Sequence, residues 1–336
     1  SAAIVSRVKI IANLDIAERR LPQDGRIRLH TQGKEIDLRV STIPTLHGES
    51  VVMRILDKGG VALDFDQLGF SHSSKETFLS ALKEPNGILL VTGPTGSGKT
   101  TTLYTALDRV NQPDVKILTV EDPVEFQMEG INQIQVKPQI DLTFANALRS
   151  IVRQDPDIIM IGEIRDLETA QIAVQSALTG HLVLSTVHTN DAASTVNRLL
   201  DMGVEDYLLT STLIAIEAQR LTRALCPHCK SAYTVLPEMA EELNLSRFSP
   251  EQKTYTLWHA KGCKACSQTG YIGRVCIVEV MPMTDALRSL IMRRATANEI
   301  KSQAVQEGMV TMYEDGLMKA LSGVTTVEEV IRATRE

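Results

Sequence analysis

The stretch from Ile88 to Leu103, ILLVTGPTGSGKTTTL, constrains this chain more than any other. The apolar run Ile88 to Val91 has strand character. After it, Gly93-Pro94-Thr95-Gly96-Ser97-Gly98-Lys99-Thr100 fits the spacing G-x-x-x-x-G-K-[ST] and leads into a helix-forming segment. Such a loop cradles phosphate. Glycines at 93, 96 and 98 let backbone N–H groups turn inward, and the helix behind them points its positive end at the anion. Lys99 neutralises charge and the Thr100 hydroxyl can ligate magnesium.

Around this loop, strands and helices alternate as in a doubly wound parallel sheet. Periodicity predicts strands at 88–91, 117–120, 158–161 and 182–187, and helices at 99–110, 144–153, 167–178 and 192–202. Ligands of such sheets gather beyond the carboxyl ends of the strands. Those positions hold Glu121, Asp122 and Glu125, then Gly162 and Glu163, then His188. Phosphoryl transfer needs a magnesium partner and a carboxylate that orients or deprotonates water, and Glu163 is the first choice for either task. Taken alone, Glu121, Asp122 and Glu125 read equally as a polar turn forced by Pro123, and His188 and His181 more often as satisfied, hydrogen-bonded histidines. Arg149 and Arg153, four apart, read as one face of a salt-bridged helix, and Arg220 and Arg223 as surface charges.

The first 70 residues read as a separate small domain: a helix over 4–16, then strands at 26–29, 36–40 and 47–56 between turns at 22–25 and 31–34. Residues 57–60 break the pattern, and the acidic segment to Phe70 reads as a linker. Arg39 and Arg54 occupy the polar phase of their strands, where a solvated arginine is commonplace.

Cys226-x-x-Cys229 and Cys263-x-x-Cys266 are separated by 33 residues. Two such knuckles supply four thiolates to one tetrahedral zinc, a closed site of structural type. Cys276 reads as a buried thiol. Capping boxes at Thr296/Glu299, Thr311/Glu314 and Thr325/Glu328 predict a helical C-terminal region. The expected domains are therefore 1–70, 71–225 around the phosphate loop, 226–275 around the cysteines, and 276–336.

With 43% hydrophobic and 23% charged residues over 336 positions, the composition is that of a globular protein without a membrane span. Forty-one acidic against 35 basic residues, with only 4% aromatic, argues against a nucleic-acid surface. The start lacks the pattern of a signal peptide, which predicts a cytoplasmic location, and Ser1 in place of an initiator Met suggests a trimmed chain.

In combination these motifs resemble the type II/type IV secretion ATPase superfamily, most closely the type II secretion motors. GPTGSGKTTT at 93–102 looks like the family's Walker A, ILTVEDPVE at 117–125 like its Asp box, IIMIGEIRD at 158–166 like its Walker B, and TGHLVLSTVHTND at 179–191 like its His box. The resemblance implies a RecA-like ATPase core, ATP and magnesium as cofactors, and nucleotide contacts extending to Thr101. Glu121 and Glu125 join Glu163 as catalytic candidates, and His188 becomes a sensor of the terminal phosphate. It also implies that the first domain is PAS-like and that Arg39 and Arg54, matched in RVSTIP and MRIL, reach nucleotide across a subunit boundary in a homo-hexamer. The tetracysteine pair matches the family's zinc insert, which pilus retraction motors generally lack. In the parent protein a further N-terminal domain docks on inner-membrane secretion platform proteins, so membrane association is peripheral and through partners. The expected function is an ATP-hydrolysing motor for pseudopilus assembly and protein export. The alternatives are a type IV pilus assembly motor, a nucleotide-gated scaffold with little hydrolysis, and a DNA translocase.

Overall fold

The structure, a computed structural model, describes residues 2–31, 34–57, 63–248 and 254–335. The chain divides into two units, Ser1–Ala62 and Leu63–Glu336. The turn expected at 31–34 and the break at 57–60 fall largely on Gln32, Gly33 and residues 58–60, which lie outside the described residues.

The first unit is a helix, α1 (Ala2–Ile11), and an antiparallel meander of β1 (Gln23–Thr31), β2 (Lys34–Thr45) and β3 (Gly48–Asp57). α1 stops five residues short of the expected Ile16. Asn13 adopts a left-handed φ of 55°, and Leu14 N–H turns back to the Lys9 carbonyl at 2.8 Å, closing the helix as an asparagine C-cap does. Ala12, Ile27 and Val40 form the core of this unit. Because side chains alternate along a strand, the neighbours of Val40 face the other way. There Arg26 lies opposite Arg39, and Arg39 opposite Arg54, in one row across all three strands.

The second unit opens with α2 (Phe65–Leu68) and α3 (His72–Ala81). Residues expected as linker are core here: Phe65 and Phe70 stack edge-on at 5.1 Å, and both pack on Phe78. Next come β4 (Gly87–Thr92), α4 (Lys99–Val110), β5 (Ile117–Glu121), β6 (Asn132–Gln135), α5 (Phe144–Ile151), β7 (Ile158–Ile161), α6 (Leu167–Leu178), β8 (Leu182–Val187), α7 (Ala192–Asp201), α8 (Asp206–Thr212) and β9 (Leu213–Leu225). A two-stranded excursion, β10 (Lys230–Thr234) and β11 (Thr256–Ala260) with α9 (Pro237–Glu242) between them, precedes β12 (Tyr271–Pro282). β12 runs through the expected boundary at 275/276 and is an edge strand of the main sheet. The chain ends in α10 (Asp285–Met292), α11 (Ala297–Gln306), α12 (Met312–Leu321) and α13 (Val327–Thr334).

The sheet order is β12-β9-β4-β8-β7-β5-β6, parallel throughout except for β12 against β9. β4, β7 and β8 are buried along their whole length because helices cover both faces, which is why they read as unbroken apolar runs. Leu90, Ile159 and Val183 pack with Leu148, Ala173 and Val196 on one face; Leu89, Met160 and Leu184 pack with Leu103, Leu107 and Phe78 on the other. β4, β7 and β8 therefore end together, and the loops that follow them form one rim.

The capping boxes at Thr296 and Thr311 form as expected. The third cap shifts by one residue. Thr326 caps α13, while the Thr325 hydroxyl donates to the Arg223 carbonyl at 2.9 Å.

Candidate nucleotide and metal sites

The loop after β4 has the backbone its glycines call for. Gly93, Gly96 and Gly98 take φ values of 147°, 81° and 95°, a region that L side chains avoid. At Gly93 a Cβ would come within 2.5 Å of the Gln219 carbonyl oxygen. α4 begins at Lys99 with no side-chain cap, leaving its first N–H groups for a ligand. Pro94, Thr95, Gly96 and Thr100 form the exposed rim, Thr101 is half-buried, and Ser97 is buried with its Oγ unpartnered. An orphaned hydroxyl within an anion-binding loop fits a phosphate ligand.

Lys99, 9% exposed, donates from Nζ to the carbonyls of Gly93 at 2.8 Å and Pro94 at 3.1 Å. Burial brings its pKa down to about 8; the negative field of Glu163 and Glu217 opposes this, and Arg220 adds to it. Glu163 follows β7. Its oxygens meet Arg165 at 2.5 Å and His188 Nε2 at 3.2 Å, and its side chain keeps 12% of its surface open. The Thr92 hydroxyl bonds that of Thr189 at 2.7 Å, and Thr189 bonds Thr195 at 2.6 Å. A chain of hydroxyls thus ties the base of the phosphate loop to the segment carrying His188.

Glu121 is set differently. Only 3% exposed, it accepts from Thr119 Oγ1 at 2.6 Å, from Gln133 Nε2 at 3.2 Å and from the Tyr104 hydroxyl, and burial raises its pKa. Glu125 is half-buried, with its N–H on the Tyr104 hydroxyl at 3.3 Å. Tyr104 thereby joins the helix behind the loop to the turn after β5. It occupies an apolar position of α4, and nothing in its spacing marks it as polar. Arg220 was equally hidden: expected at the surface, it is 7% exposed and reaches Asn190 Oδ1 at 3.1 Å. Arg223 binds Glu329 at 2.7 Å. Arg149 does pair with Glu168. Arg39 and Arg54 are brought side by side in the first unit.

Cys226 and Cys229 follow β9, and Cys263 and Cys266 precede β12. The four Sγ atoms all lie within 4.8 Å of one another, with pairs at 3.8 Å. Tetrahedral bonds of ~2.3 Å set sulfurs about 3.8 Å apart, so the cluster is compatible with zinc. Backbone N–H groups of Cys263 and Gly270 point at Cys266 Sγ at 3.1 and 3.2 Å, which favours a thiolate. His259 stacks on Tyr233 at 4.0 Å and stands outside the cluster. Leu257, Tyr255 and Val235 pack against Leu317, Ala320 and Val327, so α12 and α13 support the module. Cys276 is a buried thiol as expected, donating to the Leu68 carbonyl at 2.8 Å.

Among the described residues, no helix is long and apolar enough to cross a membrane. The chain is similar to type II secretion system protein E of Xanthomonas campestris pv. campestris, with 63% identity over 336 residues, covering 100% of this chain and 59% of that protein. It is similar to the type IV pilus assembly ATPase PilB of Myxococcus xanthus, with 55% identity over 335 residues, covering 99% of this chain and 59% of PilB. It thus spans about three fifths of the length of these relatives. Among solved structures, the pilus retraction motor PilT with bound ADP aligns with a TM-score of 0.69 and 26% identity, covering 94% of this chain and 78% of PilT. The type II/IV secretion system protein family matches residues 1–332, and with its phosphate loop, strand-end carboxylates and tetracysteine cluster this chain belongs to that family.

Proposed function

We propose that this protein is a magnesium-dependent ATP hydrolase that works as a homo-hexameric ring and drives pseudopilus assembly for protein export in type II secretion. The observation that carries this reading is the rim at the ends of β4, β7 and β8, where Glu163, paired with His188, lies in the electrostatic field of Lys99 of the phosphate loop. Gly93 to Thr101 bind the nucleotide phosphates, and Thr100 with Glu163 would hold magnesium. When bound, the ion would supply charge neutralisation for phosphoryl transfer. Glu163 takes the proton of the attacking water, and His188, bonded to it, orients the carboxylate and reports on the terminal phosphate. Glu121 and Glu125 hold the turn beside them.

The arginine row supports a role for the first domain, of PAS-like type, at a neighbouring subunit's nucleotide. Like charges placed directly opposite one another destabilise a sheet, and an anion shared by Arg39 and Arg54 offsets that repulsion. Cys226, Cys229, Cys263 and Cys266 hold a structural zinc. The RecA-like core acts in the cytoplasm, reaching the inner membrane through platform proteins. The similarity to PilB favours type IV pilus assembly as the second reading.

Turnover of MgATP per chain, measured against protein concentration, tests the proposal. Specific activity that climbs with concentration is expected of a site completed between subunits. Turnover absent at every concentration, with nucleotide still bound, would replace the motor with a scaffold.

A further inference from the structure

A loop that turns its N–H groups inward toward an anion must turn carbonyl groups outward, and a buried outward carbonyl needs a donor. In this chain the Ser97 carbonyl faces β9, and Ser97 is 3% exposed. We propose that Gln219 is a positioning residue of the nucleotide site, holding the phosphate loop in its anion-receptive shape. This rests on the reading that the loop binds nucleotide.

Gln219 is 1% exposed and stands one residue past Ala218, the partner of Thr92 where β4 ends. Its Nε2 donates to the Ser97 carbonyl at 2.6 Å, and its Oε1 accepts from the Thr102 hydroxyl at 2.6 Å. One carboxamide therefore joins the loop to the first turn of α4. The contact also explains two of the glycines. A Cβ on Gly98 would stand 2.9 Å from Gln219 Nε2, and one on Gly93 would stand 2.5 Å from the Gln219 carbonyl oxygen. The loop thus lies directly on residue 219.

The chemistry selects glutamine. Ser97 O can only accept, and the Thr102 hydroxyl donates. The bridging group must present a donor and an acceptor in one plane at the end of a side chain of this length. An ionised glutamate lacks the donor, and methionine lacks both.

The test is equilibrium binding of a fluorescent ADP analogue with magnesium to the full chain, well below the melting temperature. Wild type, Gln219→Met, Gln219→Glu, Thr102→Val and Lys99→Ala are compared. Gln219→Met is expected to weaken binding by about tenfold or more, since the loop carbonyl loses its partner. Thr102→Val, which spares the Ser97 bond, weakens it less, and the two losses are not additive because they break one bridge. Relative to wild type at each pH, Gln219→Glu recovers affinity as the pH falls and the carboxyl regains a donor. A purely structural glutamine would lower the melting temperature without moving the dissociation constant of the folded protein. A Gln219→Met constant within twofold of wild type overturns the proposal when Lys99→Ala loses binding. If Lys99→Ala also binds like wild type, it is the nucleotide reading that fails. Should Gln219→Met not fold, Gln219→Glu decides, and a pH-independent affinity equal to wild type counts against the proposal.

Discussion

His188 Nε2 lies 3.2 Å from a carboxylate oxygen of Glu163, although 25 residues separate them in the chain. The pairing follows from the sheet. β7 and β8 are adjacent and parallel, Ile161 sits opposite Ser185, and the residues just beyond the two strand ends meet. A histidine at this distance orients the carboxylate. With Glu163 as the proposed base, Glu163→Gln keeps the shape and removes the proton acceptor, so turnover should fall by roughly 10²- to 10⁴-fold while nucleotide affinity changes far less. Single-turnover hydrolysis and binding, measured on the same preparation, check both halves.

Lys99 carries a pH signature. Burial sets its pKa at about 8, and a phosphate ligand favours the charged ammonium. Binding above that pH must take up a proton. Affinity should be level below about pH 8 and fall by up to about tenfold per pH unit above it. Isothermal titration in two buffers of different ionisation heat reads the proton uptake, and Lys99→Arg should remove the bend. The stability effect has the opposite slope. Because the folded value lies below the ordinary 10.5, the unfolded chain holds more protons between the two, and this residue's contribution to stability rises with pH across that window.

Tyr104 donates to Glu121 and receives the N–H of Glu125, so one hydroxyl secures the turn after β5. Tyr104→Phe leaves a buried acceptor short of a donor and should cost about 1–3 kcal/mol in denaturant unfolding. The loss should come with a lower turnover, because the turn beside Glu163 loosens. Unchanged stability would show that Thr119 and Gln133 satisfy Glu121 without it.

The cysteine cluster should carry one zinc per chain by elemental analysis. Trp258, the sole tryptophan, lies on β11, where the Lys230 ammonium sits 4.6 Å above its ring. Cys266→Ser or a strong chelator should release the metal and shift Trp258 emission to the red as β10 and β11 loosen. The helical signal should change little, because most helices belong to the main sheet's two faces.

Much of the second unit was legible because its strands are covered on both faces. A strand that meets apolar neighbours on either side must be apolar throughout, so 117–121, 158–161 and 182–187 stand out, and each predicted end lies within a residue of the observed one. The helix expected at 144–153 closes instead at Ile151 and continues as a single 3₁₀ turn. β9 stayed hidden for the opposite reason. Glu217, Gln219 and Arg220 interrupt its apolar run, yet all three are buried, and the partners of Gln219 and Arg220 come from other parts of the chain. The third helix cap moved for a similar reason. Glu329, not Glu328, is tied down, because Arg223 of β9 holds it.

By itself, then, the sequence determined the phosphate loop, the succession of β4, β5, β7 and β8 with the helices α4, α5, α6 and α7, the carboxylates and histidine at the strand ends, and the two cysteine knuckles. Each depends on residues a few positions apart, where backbone geometry alone sets what can form. Only the tertiary structure decided that Gln219 would lie beneath the loop, that Tyr104 would clasp Glu121, and that the four sulfurs would close to 3.8 Å. Those contacts join residues 17 to 122 positions apart, and their geometry is created when the folded sheet brings separate segments together.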